Sequence, residues 1–305
     1  MSEEKQLNNM RINWFPGHMT KALRIIEKDL KIVDAIIYVL DSRAPFSCVN
    51  PKFEKFIENK PIIYVFNKID MAEKDKVIEW QKFFKKENTY CVLMNSTATG
   101  MGKKLEDILN QACSEKIKKY KEKNMTCTIR AMVVGVPNCG KSTLINNLCR
   151  KAKTVTGNKP GVTKGKQWVK IASGIELLDT PGTLWPAFDN YRVARNLAYI
   201  GSIKEEVLFI DDLAIAFISD VAKIDKSIIE KRYEIVIEDE DEPIDVLDKI
   251  CYARKFLLKG AELDYERGCK AIISDFKQGK FGNLTLETYK ELKKLQVKDR
   301  LKENA

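Results

Sequence analysis

The stretch Gly135-Val136-Pro137-Asn138-Cys139-Gly140-Lys141-Ser142-Thr143 constrains this chain more than any other. The apolar run at 129–134 before it has strand character, and 143–148 after it has the spacing of a helix's first turns. Strand, G-x-x-x-x-G-K-[ST] and helix together make a phosphate-binding loop. The glycines let the backbone curl until successive N–H groups converge, and the helix N-terminus adds its positive end. In this pattern Asn138, Cys139, Gly140, Lys141, Ser142 and Thr143 surround the phosphates. Lys141 reaches the β- and γ-phosphates, and the Ser142 hydroxyl ligates Mg²⁺.

Such a loop usually opens its domain, yet here 134 residues precede it. Those residues alternate apolar runs at 35–40, 61–66 and 90–94 with helical patterns such as 76–86 and 105–123. The alternation predicts a parallel sheet covered on both faces, with ligands beyond the carboxyl ends of the strands. Polar motifs stand at those ends: Asp41-Ser42-Arg43-Ala44-Pro45, Asn67-Lys68-Ile69-Asp70 and Asn95-Ser96-Thr97-Ala98. Residues 167–171 and 175–178 predict a hairpin across Ser173-Gly174, running into Asp179-Thr180-Pro181-Gly182. Beyond Pro186 the alternation stops. Residues 190–230, 244–258, 265–277 and the Lys-rich 289–302 read as helices.

Three motifs turn the phosphate site into a guanine-nucleotide site. Asn67-Lys68-x-Asp70 has the spacing of a base reader, whose Asp70 carboxylate accepts from guanine N1–H and the exocyclic amine. Adenine lacks that donor pair, so an unpaired carboxylate would penalise it. Thr97-Ala98 stands where a backbone N–H meets guanine O6, and Asp179-x-x-Gly182 supplies a Mg²⁺-facing carboxylate and a γ-phosphate-sensing glycine. Each motif alone is weak. Together at strand ends, with the phosphate loop, they predict GTP and GDP as ligands.

With 44% apolar residues and no apolar run near 18 residues, the chain reads as globular, with no membrane span. The polar, acidic N-terminus lacks a signal peptide, and the eight cysteines form no C-x-x-C pair. This predicts a cytoplasmic protein without zinc site or disulfide framework. The formal charge of +10 is uneven: 32 basic against 19 acidic side chains in 1–188, 7 against 16 in 189–248, and 14 against 7 in 249–302. A nucleic-acid footprint and a Lys-rich solvated surface both fit that excess.

In ordinary G proteins the phosphate loop comes first and N-K-x-D follows D-x-x-G. Here the order is 67–70, 97–98, 135–142, Thr163, 179–182, which resembles the circularly permuted GTPases. Asn13-Trp14-Phe15-Pro16-Gly17-His18-Met19, Asp41-Ser42-Arg43-Ala44-Pro45, Pro160-Gly161-Val162-Thr163 and Asp179-Thr180-Pro181-Gly182 are similar to the ribosome biogenesis GTPase A (RbgA/YlqF) family over about 13–290. Residues 1–12 read as a loose polar tail, and the resemblance implies a permuted α/β GTPase domain at 13–188 with a doubly wound, mostly parallel sheet. An all-α domain at 189–305 that binds RNA and the ribosome follows.

The implied reaction is hydrolysis of GTP to GDP and phosphate, with Mg²⁺ held by Ser142, Thr163 and, through water, Asp179. The glutamine that usually orients water is replaced by Thr183, where the family is typically apolar. His18, the single histidine, takes the catalytic role in the resemblance; a structural histidine is the alternative. Asn138 resembles the asparagine of potassium-activated GTPases and equally suits a turn. The implied partner is the large (50S) ribosomal subunit, bound by a monomer in the GTP state and left after ribosome-stimulated hydrolysis. The rival readings are a nucleotide-dependent RNA-binding module without a hydrolytic role and a permuted GTPase of the small subunit.

Overall fold

The computed structural model describes residues 17–292 apart from 52, 54–56, 58–59, 99, 152–166, 173 and 186–189. Among the described residues six strands form one sheet: β1 (Ala35–Asp41), β2 (Ile62–Asn67), β3 (Thr89–Leu93), β4 (Ile129–Val134), β5 (Gln167–Ala172) and β6 (Ile175–Asp179). Their spatial order is β3-β2-β1-β4-β6-β5, parallel throughout except for the antiparallel β5 at one edge. The β5–β6 hairpin predicted from sequence pairs Trp168 with Leu178.

Chain order explains the layout. β1 starts in the middle, β2 and β3 extend one side, and the chain then crosses to lay β4 on β1's other edge. Strand order therefore reverses between β1 and β4, and ligands of open α/β sheets bind in the crevice at that point. Register brings the functional ends level: Asp41 lies opposite Asn67, and Val133 opposite Asp179.

The central strands are continuous apolar runs because both faces are covered. Every residue of β1 and β2 is buried, including Asp41 and Asn67, whereas the edge strand β3 buries only Val92. Helix α1 (Gly17–Asp29) precedes the sheet, and α2 (Lys74–Phe84) buries Val77, Trp80 and Phe84 at three- and four-residue spacing. The Phe84 ring lies 4.8 Å from that of Tyr64 on β2. Aromatic packing of this kind contributes about 0.5–1.5 kcal/mol per pair beyond area burial.

The single helix expected over 105–123 is two, α3 (Met101–Ala112) and α4 (Ser114–Glu122). Cys113, at φ −107° and ψ 19°, interrupts the ladder. Beyond the break, Lys116 Nζ donates to Asp34 and to the Thr128 carbonyl, both at 2.7 Å, which fixes α4's direction. Helix α5 (Lys141–Lys151) follows the phosphate loop.

The chain forms two compact units that divide after Pro186 and again after Leu286. In the helical unit α6 (Tyr191–Tyr199) opens with Asn190 capping the Arg192 N–H at 2.8 Å. The region expected as mostly helix up to 230 breaks again, into α7 (Ile210–Asp225) and α8 (Ser227–Tyr233). Phe217 on α7 centres the packing, with the rings of Tyr199, Phe276 and Phe281 at 5.1, 5.0 and 5.3 Å. Helix α9 (Pro243–Ala253) stops short of the expected 258, because Lys255 turns left-handed (φ 55°) and the chain folds back in a Leu257–Leu263 bridge. Helix α10 is Tyr265–Lys277.

Among the described residues, those from Glu287 to Leu292 belong to the sheet unit. The Glu287 carboxylate accepts from the N–H groups of Phe46 (2.8 Å) and Ser47 (3.1 Å) and from the Ser47 hydroxyl. Trp80 Nε1–H donates to the Glu287 carbonyl at 3.1 Å, and Tyr289 packs on Phe83 at 5.3 Å. Most of the helix expected at 289–302 lies outside the described residues.

Candidate nucleotide site

Asn67 ends β2 and is buried. Its Nδ2 donates to the Cys139 carbonyl of the phosphate loop at 2.8 Å. Its Oδ1 accepts from the Ser96 N–H (2.9 Å) and hydroxyl (2.7 Å). One side chain thus locks the base-reading segment, the phosphate loop and the loop after β3. A Cβ on Gly140, which sits at φ +102°, would stand 2.1 Å from Asn67 Nδ2, so this lock requires glycine there.

Asn147 on α5 adds a second tie, donating to the carbonyls of Ser96 (2.7 Å) and Ala98 (3.0 Å). The N–H groups of Thr97 and Ala98, expected to face guanine O6, are engaged inside their own turn. They donate to Asn95 Oδ1 (2.9 Å) and to the Asn95 carbonyl (3.0 Å), respectively.

Lys68 adopts the left-handed conformation (φ 58°, ψ 37°) at the cap of the 3₁₀ turn Ile69–Met71 that carries the exposed Asp70. Lys68 Nζ bonds the Asn138 carbonyl at 2.9 Å and the Asp41 carboxylate at 2.8 Å. Asn138 is exposed and also left-handed (φ 58°).

Lys141 is buried inside the loop, its Nζ donating to the carbonyls of Gly135 (3.0 Å) and Val136 (2.8 Å). Ser142 and Thr143 are exposed at the start of α5. Asp179 ends β6, where burial pushes its pKa up and the Lys141 charge offsets this only in part. A Cβ on Gly182 would meet Pro137 Cα at 2.7 Å and Lys141 Nζ at 3.0 Å, so the D-x-x-G turn lies directly on the phosphate loop. The Thr183 N–H donates to the Gly135 carbonyl at 3.3 Å.

The predicted residues from Asn67 to Asp70, 97–98, 138–143 and 179–182 therefore share one edge of the sheet. His18 stands in the first turn of α1, with its side chain outside the described residues, and Thr163 lies wholly outside them. The sequence reading gave no role to Asp41, Arg43, Ser96 or Asn147. Asp41 and Arg43 stood in a quoted motif, and a charged pair in an apolar context was their signal. Asn147 offered only a mid-helix asparagine, a residue type that favours caps and turns.

A phosphate loop locked to N-K-x-D by asparagine, with D-x-x-G laid on it and the base reader first in the chain, is the site of a circularly permuted GTPase. The family model described as 50S ribosome-binding GTPase matches residues 130–249. It begins at the phosphate-loop strand and leaves out the base-reading half that permutation has moved ahead. The chain is 39% identical to ribosome biogenesis GTPase A of Bacillus licheniformis, over 91% of this chain and 98% of that protein. It is 37% identical to the Bacillus pumilus protein of that name, over 91% and 99%. The structure of GNP-bound YlqF from T. maritima superposes with a TM-score of 0.61 at 26% identity, covering 88% of this chain and 98% of that one. The chain belongs to the ribosome biogenesis GTPase A family: it is a guanine-nucleotide-hydrolysing enzyme of ribosome biogenesis.

Proposed function

We propose that this GTPase is an assembly factor for the large ribosomal subunit, acting in the cytoplasm as a monomer. In the GTP state it binds pre-ribosomal RNA and protein through the helical unit, and it leaves after hydrolysis stimulated by the particle. The course of the chain after D-x-x-G supports this reading. Leu184 and Trp185 are buried, and the helical unit begins directly beyond Pro186. The segment that senses the γ-phosphate is thus covalently next to the unit that would hold the partner, and order–disorder in such segments converts nucleotide state into binding. The 14 basic against 7 acidic side chains of 249–302 suit phosphate contacts. Among the described residues no helix is long and apolar enough to cross a membrane.

The donor set fits Mg²⁺ bound together with nucleotide. Ser142 and Asp179 offer one hydroxyl and one carboxylate, and no group of three or more His, Cys, Asp or Glu side chains stands ready for a metal among the described residues. Mg²⁺ keeps several waters and takes few protein ligands plus substrate phosphates. Ser142, Thr163 and, through water, Asp179 would hold it, and it would neutralise charge on the phosphates. Asn138, exposed and left-handed at the loop's crest, would help to hold K⁺. His18 would orient the attacking water in place of the missing glutamine.

The test is GTP hydrolysis in potassium and in sodium buffer, alone, with purified large subunits and with purified small subunits, for the intact chain and His18→Ala. Stimulation by the large subunit that is lost in the variant, with GTP binding kept, is the expected result. Equal stimulation by small subunits would overturn the large-subunit assignment. Stimulation surviving in His18→Ala would return the histidine to a structural role.

A further inference from the structure

Asp41 is the most deeply placed charge at the nucleotide edge. It ends β1, the strand beside the phosphate-loop strand, with no exposure, and Arg43 beside it is 1% exposed. Arg43 Nε bonds Oδ1 at 2.9 Å, its Nη2 bonds Oδ2 at 2.8 Å, and its backbone N–H adds Oδ1 at 3.1 Å. That fork already neutralises and orients the carboxylate. Even so, a second cation, Lys68, sits on Oδ2 at 2.8 Å. Burial alone would raise the carboxyl's pKa; the two cations outweigh it and hold the group well below the usual carboxylate range.

Lys68 is where these facts meet. A lysine at φ 58° lies in the left-handed region that residues with a Cβ rarely enter, and such strain persists only where the surroundings over-determine it. Two bonds do so here, one to Asp41 and one to the Asn138 carbonyl of the phosphate loop. The residue after next is Asp70, and the charge of Asp70 is felt at Arg43.

We propose that Asp41 is a positioning residue for the guanine nucleotide. Fixed by Arg43, it holds Lys68, and through Lys68 both the turn that presents Asp70 and the crest of the phosphate loop. It touches no substrate atom and acts on binding of GDP and GTP alike. The proposal rests on the assignment of Asp70 as the base reader.

The experiment measures affinity for fluorescent GDP and a GTP analogue, kcat at saturating GTP, and thermal melting. The variants are Asp41→Asn, Lys68→Met and their double, made in the full chain. Losing a charge-assisted contact predicts about tenfold weaker binding of both nucleotides in each single variant. The loss should be larger in affinity than in turnover at saturation, and the double variant should bind no worse than Lys68→Met, since both act through one contact. Lowered melting with unchanged affinity in Asp41→Asn would make it a structural residue and overturn the proposal. Independent, multiplying losses in the double variant would do the same. If Asp41→Asn does not fold, Lys68→Met, which keeps the Asp41–Arg43 pair, decides: full affinity there overturns the proposal. Asp70→Asn, assayed with xanthosine diphosphate, separates the two readings. Failure to gain xanthine binding would sink the base-reader assignment itself, whatever Asp41 does.

Discussion

The two halves of the nucleotide site are built in opposite ways. On the base side, polar groups are matched at short distance: Asn67 with Cys139 and Ser96, Asn147 with Ser96 and Ala98, Asp41 with Arg43 and Lys68. On the switch side, Asp179 is partly buried with its pKa pushed up, and the Thr183 hydroxyl is buried without a hydrogen-bond partner. Gly182 is there by steric necessity. A fully satisfied polar network is rigid, whereas unmatched buried groups are costly and favour any rearrangement that pairs them. The base is the same in GTP and GDP, so the half that reads it needs no second state. The half beside the γ-phosphate does, and it holds the carboxyl that burial disfavours, Asp179, and the orphaned Thr183 hydroxyl; on the base side the buried Ser42 hydroxyl beside Asp41 has no partner either.

The largest effect is expected from removing the base-side lock. Asn67→Ala strips partners from the Cys139 carbonyl and from the Ser96 N–H and hydroxyl. At about 1–3 kcal/mol for each buried group left unpaired, the loss should reach at least about 3 kcal/mol in urea denaturation. GDP and GTP affinity should fall together. A variant that unfolds normally while losing only GTP binding would place this lock on the switch side and break the contrast.

Gly182→Ala comes next, and it should act on chemistry rather than stability. The new methyl would meet the Pro137 backbone at 2.7 and 2.8 Å, so one loop must move off the other. A displacement of about 1 Å at a reacting centre can cost about a hundredfold in rate. We expect a loss of that order in subunit-stimulated hydrolysis, with GDP affinity nearly unchanged. A parallel loss of GDP affinity would show that the two halves are not separable.

How much of this was legible in the sequence follows from where the partners lie. The phosphate loop, Asn67-x-x-Asp70 and Asp179-x-x-Gly182 are local motifs, and each carries its chemistry within a few residues. Asp41's meeting with Lys68 spans 27 residues and Asn147's with Ser96 spans 51. Such pairs exist only once β1, β2 and β4 are side by side. The return of Glu287 to Phe46 and Ser47 is longer still, at 241 and 240 residues, and no periodicity signals it. The break at Cys113 escaped for a related reason: 105–123 is mostly good helix formers, the weak pair Cys113-Ser114 alone does not stop a helix, and the contacts of Lys116 beyond it decide the direction.

Acid pH should move the two halves oppositely. Asp41's pKa is lowered in the folded chain, so its stabilisation is complete above the ordinary carboxylate value and is lost only as pH falls through the lowered one. Asp179's pKa is raised by burial, so its charge destabilises the fold above that raised value, and the penalty fades as pH falls toward the ordinary one. Without nucleotide, Asp179→Asn should therefore stabilise at neutral pH and lose that advantage on acidification. Asp41→Asn should destabilise across the same range. Melting curves from pH 7 downward check both signs, and equal signs would remove the electrostatic part of the contrast.

The smallest effect is expected at Thr183. Its hydroxyl is 1% exposed by residue and has no hydrogen-bond partner, while its N–H holds the Gly135 carbonyl. Thr183→Val keeps the shape and removes the orphaned group, a change that is nearly neutral or stabilising by up to about 1 kcal/mol when nothing is left unpaired. Unstimulated hydrolysis should be unaltered if the hydroxyl only waits unpaired in the resting chain. A fall in stimulated hydrolysis alone, with stability improved, would mean that the hydroxyl finds its partner when the large subunit is bound. That outcome would turn an unsatisfied group into the part of the switch side that the second state satisfies.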